Sequence, residues 1–207
     1  MDKNITLREG IETGLIKKDD YISYHADRQK ICLMPDETGY KIRQNYETQT
    51  LNYQFQFVDD VGNIAIVSDK SIKEKVTLKG KKGTAKCQKT LNRLCEKIFS
   101  NSKLKAKAHC INLEEYKKLS QKMKKLKSFY WLSTQFAYDE KTKYGVYYVY
   151  ADNVIDQYLC NSEDQELDKS YSIRVVVLLP GDIVLDTTNP SYDGSTAKRA
   201  WKIKSQS

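Results

Sequence analysis

The chain has 207 residues, which is enough for one domain or two small ones. No apolar run approaches the length of a membrane-spanning helix, and the first residues lack an apolar signal region, so neither membrane insertion nor export through a cleaved signal peptide is expected. The net charge is +8, and five cysteines accompany only two histidines without a Cys-x-x-Cys pair. That spacing excludes the usual structural zinc sites and favours reduced thiols.

The first 50 residues contain short apolar runs separated by turn signals. Residues 21–25 and 30–34 have the composition of two short strands, and turns are predicted at residues 17–20 and 35–39. We therefore predict a β-rich segment over residues 1–50, with an anchoring role.

The clearest hairpin signal lies between residues 53 and 67. Tyr53, Phe55 and Phe57 alternate with glutamines, so we expect these three rings on one face of a strand. Residues 58–63 are predicted to turn the chain, and residues 64–67 to form the return strand.

Two helices are predicted downstream of the hairpin. Apolar residues recur at helical spacing from Cys87 to Phe99, which predicts a one-sided helix with a basic opposite face. A second helix is predicted over residues 112–127, with Asn112 as N-cap and Glu115 three residues on. Its apolar stripe comprises Tyr116, Leu119, Met123 and Leu126, and its basic face comprises Lys117, Lys118, Lys122, Lys124 and Lys125.

From Phe129 onward the pattern becomes that of strands. Residues 128–134 carry three consecutive aromatics, and we predict that this stretch is the central strand of a β-rich unit with Trp131 in its core. Residues 144–150 and 154–160 are predicted to pair, and residues 173–179 to form a buried strand. Because an unpaired buried ion is costly, Arg174 in that strand should make an ion pair or bind carbonyls. Residues 187–207 form a largely polar tail, either docked as a short arm or mobile.

Tyrosine, asparagine and aspartate are concentrated between positions 138 and 161. Tyrosine offers a large contact area at low entropic cost, and asparagine and aspartate add adaptable hydrogen bonds, so these residues are candidates for binding a ligand or partner. The candidates are Tyr138, Tyr144, Tyr148, Tyr150, Asp152, Asn153, Asp156 and Tyr158. The alternative is that many of these rings only pack the sheet. Likewise, the basic face of the second helix is either a solvated surface or a contact for a negative partner or a neighbouring subunit.

No group of residues predicts catalysis. Cys110 follows His109, but adjacent residues on a strand point to opposite sides. The segment from Gly80 to Gly83 lacks the Lys-Ser/Thr of a phosphate-binding loop, and the acidic residues between 152 and 164 do not have the spacing of a calcium loop. We therefore expect no enzymatic activity, no cofactor and no bound metal.

Seven blocks of sequence carry a family resemblance, and they span about residues 50–180. They are residues 63–68, 91–101, 106–116, 129–134 (FYWLST), 144–149 (YGVYYV), 158–161 and 171–178 (YSIRVVVL). Their order resembles a C-type-lectin-like family of phages and prophages of low-GC Gram-positive bacteria. That family is related to retroelement-diversified variable proteins and to the formylglycine-generating-enzyme fold. Val175 stands where the family usually has proline, and Ser133 and Thr134 replace alanine and serine.

The resemblance implies an α+β, C-type-lectin-like fold: a twisted antiparallel sheet with two helices, plus the N-terminal β-rich extension. The implied divisions are 1–50, 51–186 and 187–207. The implied function is that of a non-enzymatic phage virion protein, on a capsid or tail, that binds a host-surface ligand or a neighbouring virion subunit. Such a protein would be oligomeric in a virion assembled in the host cytoplasm. The alternative is a cytoplasmic module that binds protein or, less expected, nucleic acid through the lysine-rich helix 112–127.

Overall fold

The computed structural model describes residues 4–27, 50–73, 75–78, 87–137, 144–150, 154–159 and 169–204. The strands are β1 (Ile5–Thr6), β2 (Tyr21–Ser23), β3 (Tyr53–Val58), β4 (Ile64–Ser68), β5 (Val76–Leu78), β6 (Lys107–Cys110), β7 (Tyr130–Ala137), β8 (Tyr144–Val149), β9 (Ile155–Leu159), β10 (Lys169–Ile173), β11 (Val175–Leu179), β12 (Val184–Asp186) and β13 (Trp201–Ile203). The helices are α1 (Leu7–Glu12), α2 (Cys87–Phe99), α3 (Leu113–Lys118) and α4 (Gln121–Lys124). The predicted α+β class is confirmed.

The strands form two sheets. The larger has the order β1-β12-β13-β2-β3-β4-β11-β6, and the smaller has the order β5-β10-β7-β8-β9. Strand β7 carries Trp131 at the middle of the five-stranded sheet, as predicted. The expectation of a purely antiparallel sheet is wrong, because β13 pairs with β2, and β10 with β7, in parallel.

The eight-stranded sheet combines distant parts of the chain. Strands β1 and β2 come from the first 50 residues, and β13 comes from the predicted tail, so the boundaries at 50 and 186 do not mark a break in this sheet. Trp201 anchors β13: it pairs with Ile22, is buried, and donates from Nε1 to Asp20. The buried indole therefore adds core packing to the backbone pairing of β13 with β2 and β12.

Both faces of the eight-stranded sheet are covered. Alternate residues of β4 and β11 belong to two separate core clusters, one against α2 and the other against α3 and α4. Coverage on both faces explains why these two strands are nearly continuous apolar runs. The predicted stripe of α2 is confirmed at its described positions, since Leu91, Cys95 and Ile98 are buried.

The predicted helix over residues 112–127 is wrong in its length. Asn112 and Glu115 form the expected capping box, but α3 ends at Lys118 because Leu119 is extended, and α4 begins after Ser120. Ser120 is held from outside the helix: its N–H donates to Gln56 and its hydroxyl to Asp19. These bonds, with its capping of Met123, replace the helical bonds lost at the break.

The hairpin of β3 and β4 is confirmed, but the prediction that all three of its rings lie on one face of the strand is wrong. The register shifts between Phe55 and Phe57, so Gln56 is an extra residue in β3. Such a bulge reverses the facing of the residues beyond it. Tyr53 and Phe55 therefore lie in the cluster against α2, whereas Phe57 packs against the cluster on the other face.

Candidate ligand-binding site

Five aromatic side chains, three on strands of the smaller sheet and two directly beside its strand ends, pack against one another. Trp131 is fully buried, donates from Nε1 to the carbonyl of Val76, and contacts both Tyr148 and Tyr171. Phe129 and Tyr150 complete the cluster at its open side, with ring centroids 5.3 Å apart. Strand β7 brings these rings together because β8 pairs with it on one side and β10 on the other.

Three of the rings form a stack, which we call the aromatic column. Tyr148 and Tyr171 have centroids 4.7 Å apart at an interplanar angle of 29°, and Tyr171 and Phe129 have centroids 5.6 Å apart at 18°. Tyr148 is the buried end of the column, whereas Phe129 is 42% exposed. The column therefore leads from the core to a solvent-facing ring.

Three of the predicted binding residues converge beside this column. The hydroxyl oxygens of Tyr148 and Tyr150 lie 2.9 and 3.1 Å from Oδ2 of Asp156, and 2.8 Å from each other. Burial raises the pKa of Tyr148 well above its ordinary value, and its hydrogen bonds to Tyr150 and Asp156 raise it further. The Tyr148 hydroxyl thus keeps its proton and forms a hydrogen bond with Asp156, while Tyr150 and Asp156 carry the accessible polar atoms.

The remaining predicted residues fall into two groups. Tyr144 and Tyr158 lie on the neighbouring strands β8 and β9. Tyr138, Asp152 and Asn153 lie outside the described residues.

An open cleft of about 880 Å³ begins at Phe129 and is rich in lysine. Its walls include Lys70, Lys73, Lys75 and Lys127, and its aromatic side is Phe129 with Tyr171. We call it the lysine cleft. All four lysines are exposed, and no carboxylate is among its described lining residues. Glu74, between Lys73 and Lys75 in sequence, lies outside the described residues.

The pairing of β5 with β10 creates this cleft. Val76 lies opposite Tyr171, which brings residues 70–73 and Lys75 beside the start of β7, and Ser71 Oγ lies 3.0 Å from Ser128 Oγ. The lysines come from two segments that are more than fifty positions apart in sequence. A local sequence pattern therefore does not predict that they lie close together in space. The available signal was Phe129, the first ring of the aromatic triplet, two positions after Lys127 at the end of the lysine-rich segment 122–127.

Four of the five lysines of the predicted basic face contact other groups of the protein. Lys117 pairs with Glu114 at 2.7 Å, and Lys124 donates to the carbonyl of Lys117. Lys118 and Lys122 lie over the rings of Phe57 and Tyr21, and Lys124 also lies over Tyr116. Lys125 is exposed.

His109 and Cys110 point in opposite directions, as their adjacency on a strand predicts. His109 Nε2 lies 2.6 Å from Glu115, whereas Cys110 is fully buried and its thiol contacts the carbonyl oxygens of Ile111 and Trp131. Burial raises the pKa of the Cys110 thiol, which opposes formation of a thiolate. Across the described residues, no three His, Cys, Asp or Glu side chains are grouped as metal ligands.

Arg174 has the carbonyl contacts that its sequence position predicts. It is fully buried and donates to the carbonyls of Ser68 at 3.0 Å and Met123 at 2.6 Å. It also lies over the ring of Tyr130, and burial lowers its pKa. Arg174 separates β10 from β11, so it fixes the point where the chain passes from one sheet to the other.

No family model, curated protein or solved structure matches this chain. None of the described helices has the length and apolar character needed to span a bilayer.

Proposed function

We propose that this chain is a non-enzymatic binding protein of a phage particle with a C-type-lectin-like fold. It adheres to a host-surface ligand, or to a neighbouring virion subunit, through the edge of the smaller sheet at β9. The assignment to a virion comes from the resemblance of the sequence blocks. The assignment of the binding edge comes from the grouping of Tyr150 and Asp156 beside β9.

The composition of that edge supports the proposal. Strand β9 ends the order of the smaller sheet, and among the described residues it pairs only with β8. Val154 and Ile155 are 56% and 37% exposed, and the polar atoms of Tyr150 and Asp156 lie beside them. Exposed apolar residues next to tyrosine, on a strand at the end of a sheet, are typical of protein-binding surfaces. This grouping is the observation that carries the proposal.

Two measurements test the proposal at different levels. Mass spectrometry of particles purified from the strain that encodes the chain should detect it as a virion component, and its absence from them would contradict the assignment. Labelled protein applied to intact cells of that strain, and to particles lacking the chain, should bind at least one of the two.

The binding edge is tested by placing a charge on it. We expect Ile155→Lys to weaken that binding at least tenfold, because it puts an ammonium group within an apolar contact. Val61→Lys makes the same charge change at a position that is 81% exposed in the β3–β4 turn, and it should bind like the unmodified protein. Equal binding by both variants would remove β9 from the interface.

A further inference from the structure

We propose that the lysine cleft binds a short segment of single-stranded nucleic acid, with one base stacked on Phe129 and its phosphates on the four lysines. This activity goes beyond the adhesion assigned to the β9 edge and uses different residues. It also differs in position from the basic face of the helical segment. Two independent features carry the inference: a ring stack with an open end, and a set of cations beside that end.

The aromatic column provides the surface for a base. Tyr148 and Tyr171 are held in place by the core, and Phe129 extends their stack towards solvent at an interplanar angle of 18° to Tyr171. A planar base placed against Phe129 continues the stack without rearranging the buried rings. Because every base has a π-face, such stacking is tolerant of sequence.

The lysines provide the charge for a phosphate backbone. Lys70, Lys75 and Lys127 have no hydrogen-bond or ion-pair partner among the described residues, so these ammonium groups are available to a ligand. Lysine acts as a mobile point charge, whereas arginine reads planar groups in a fixed bidentate geometry. Four lysines without an arginine therefore suit contact with phosphates and not recognition of particular bases.

The form of the cleft favours a single strand. At about 880 Å³ it lies towards the upper end of the range for ligand pockets, roughly 300–1,000 Å³, so it can hold a base together with its phosphate. Bases within a duplex are already stacked and paired, and their faces cannot reach Phe129. An unpaired strand has no such restriction.

The test measures binding of a fluorescein-labelled thymidine 12-mer by fluorescence anisotropy at low salt. Phe129→Ala should weaken binding about 5- to 150-fold, the range for loss of one stacked base. Phe129→Trp should retain binding, with quenching of its indole fluorescence on addition of unlabelled 12-mer. The affinity should fall with salt, with a logarithmic slope of roughly −0.7 per phosphate neutralised.

Two variants with the same change in net charge distinguish binding at the lysine cleft from non-specific attraction of the oligonucleotide to a basic protein. Replacing Lys70, Lys73, Lys75 and Lys127 together by Gln should weaken binding at least tenfold and flatten the salt dependence. Replacing Lys117, Lys118, Lys122 and Lys125 by Gln should leave the affinity and its salt dependence close to those of the unmodified protein. Equal losses in the two variants, or no loss in either, would overturn the proposal.

Competitors decide what the cleft recognises. Unlabelled 12-mer should displace the probe, whereas duplex of the same length, thymidine monophosphate and inorganic polyphosphate should compete at least tenfold less well. Polyphosphate acting as well as the 12-mer would show an anion site without base stacking and would overturn the proposal, as would equal competition by the mononucleotide or the duplex. Ile155→Lys should bind the oligonucleotide as well as the unmodified protein does. A failure of the cleft proposal is therefore distinguishable from a failure of the adhesion proposed for the β9 edge.

Discussion

Arg174 is a buried charge with neutral partners. Its guanidinium donates to the carbonyls of Ser68 and Met123, one at the end of β4 and the other in α4. Removal of the side chain leaves both buried carbonyls without these donors. The cost of a buried unsatisfied polar group is about 1–3 kcal/mol.

We therefore expect Arg174→Met to lower the free energy of unfolding by about 2–4 kcal/mol in urea denaturation, since two carbonyls lose their donors. Arg93→Met is the control, because Arg93 is exposed on α2, and its effect should stay within about 0.5 kcal/mol. A loss of the same size in both variants would show that the carbonyl contacts are not the cause.

Substitutions at two glycines allow the effect of backbone strain to be measured apart from the effect of a steric clash. Gly14 and Gly194 have nearly equal positive φ values, 75° and 74°. A Cβ at Gly14 would meet nothing within 4 Å, whereas a Cβ at Gly194 would lie 2.5 Å from Nε1 of Trp201. Substitution at Gly194 therefore disturbs the residue that docks β13.

We expect Gly14→Ala to destabilise the protein by about 1 kcal/mol through strain alone. Gly194→Ala should cost at least about 2 kcal/mol more, because Trp201 must move and an indole packed in the core loses contacts. Thermal unfolding of the two variants, with the indole fluorescence as a second readout, measures the difference. Similar unfolding of the two would mean that β13 is not held by Trp201.

At the scale of the elements, the break between α3 and α4 depends on contacts that are distant in sequence. Ser120 caps α4 through Met123, and it also joins Asp19 and Gln56. We expect Ser120→Ala to destabilise the fold by about 1–2 kcal/mol, because it removes both the cap and a hydroxyl bond to Asp19. Ser195→Ala removes only an exposed bond to Asp193 and should have little effect in the same urea titration. Equal stabilities would indicate that the break is set by the helices themselves.

Local sequence signals predicted three of the elements. Alternation identified β3, turn residues identified its return, and helical spacing identified α2. Tertiary contacts decided the rest. The bulge at Gln56 turned the Phe57 ring to the other face of the sheet. Hydrogen bonds donated by Ser120 to Asp19 and Gln56 accompany the break in the predicted helix.

The candidate site was predictable to a similar extent. Tyr148, Tyr150 and Asp156 were named as candidates for their residue types, and the predicted pairing of residues 144–150 with 154–160 accounts for their proximity. The lysine cleft was not identified, because it requires the pairing of β5 with β10 and the parallel pairing of β10 with β7. Neither pairing has a local signal.

At the scale of the whole molecule, the buried phenols predict a fold that is sensitive to alkaline pH. Burial is the main cause of a raised pKa at Tyr24, Tyr53, Tyr116, Tyr130 and Tyr148. For Tyr116 it raises the pKa to about 12, from an ordinary value of 10.0. A group with a higher pKa in the folded state keeps its proton longer when folded than when unfolded. Its stabilising contribution is complete below pH 10 and decreases as the pH rises towards 12.

We therefore expect cooperative unfolding in this alkaline range, with ionisation of the buried tyrosines delayed until the fold opens. Ultraviolet absorbance of tyrosinate and circular dichroism, recorded along one pH titration, should show a gradual phase from solvent-facing rings and then a phase that coincides with loss of secondary structure. Tyr116→Phe removes one ionisable group from the core, so it should make this second phase less steep. Tyr192→Phe, at a half-buried ring beneath Lys202, is the matched control. Full ionisation of all fifteen tyrosines with unchanged circular dichroism would contradict the coupling between burial and stability.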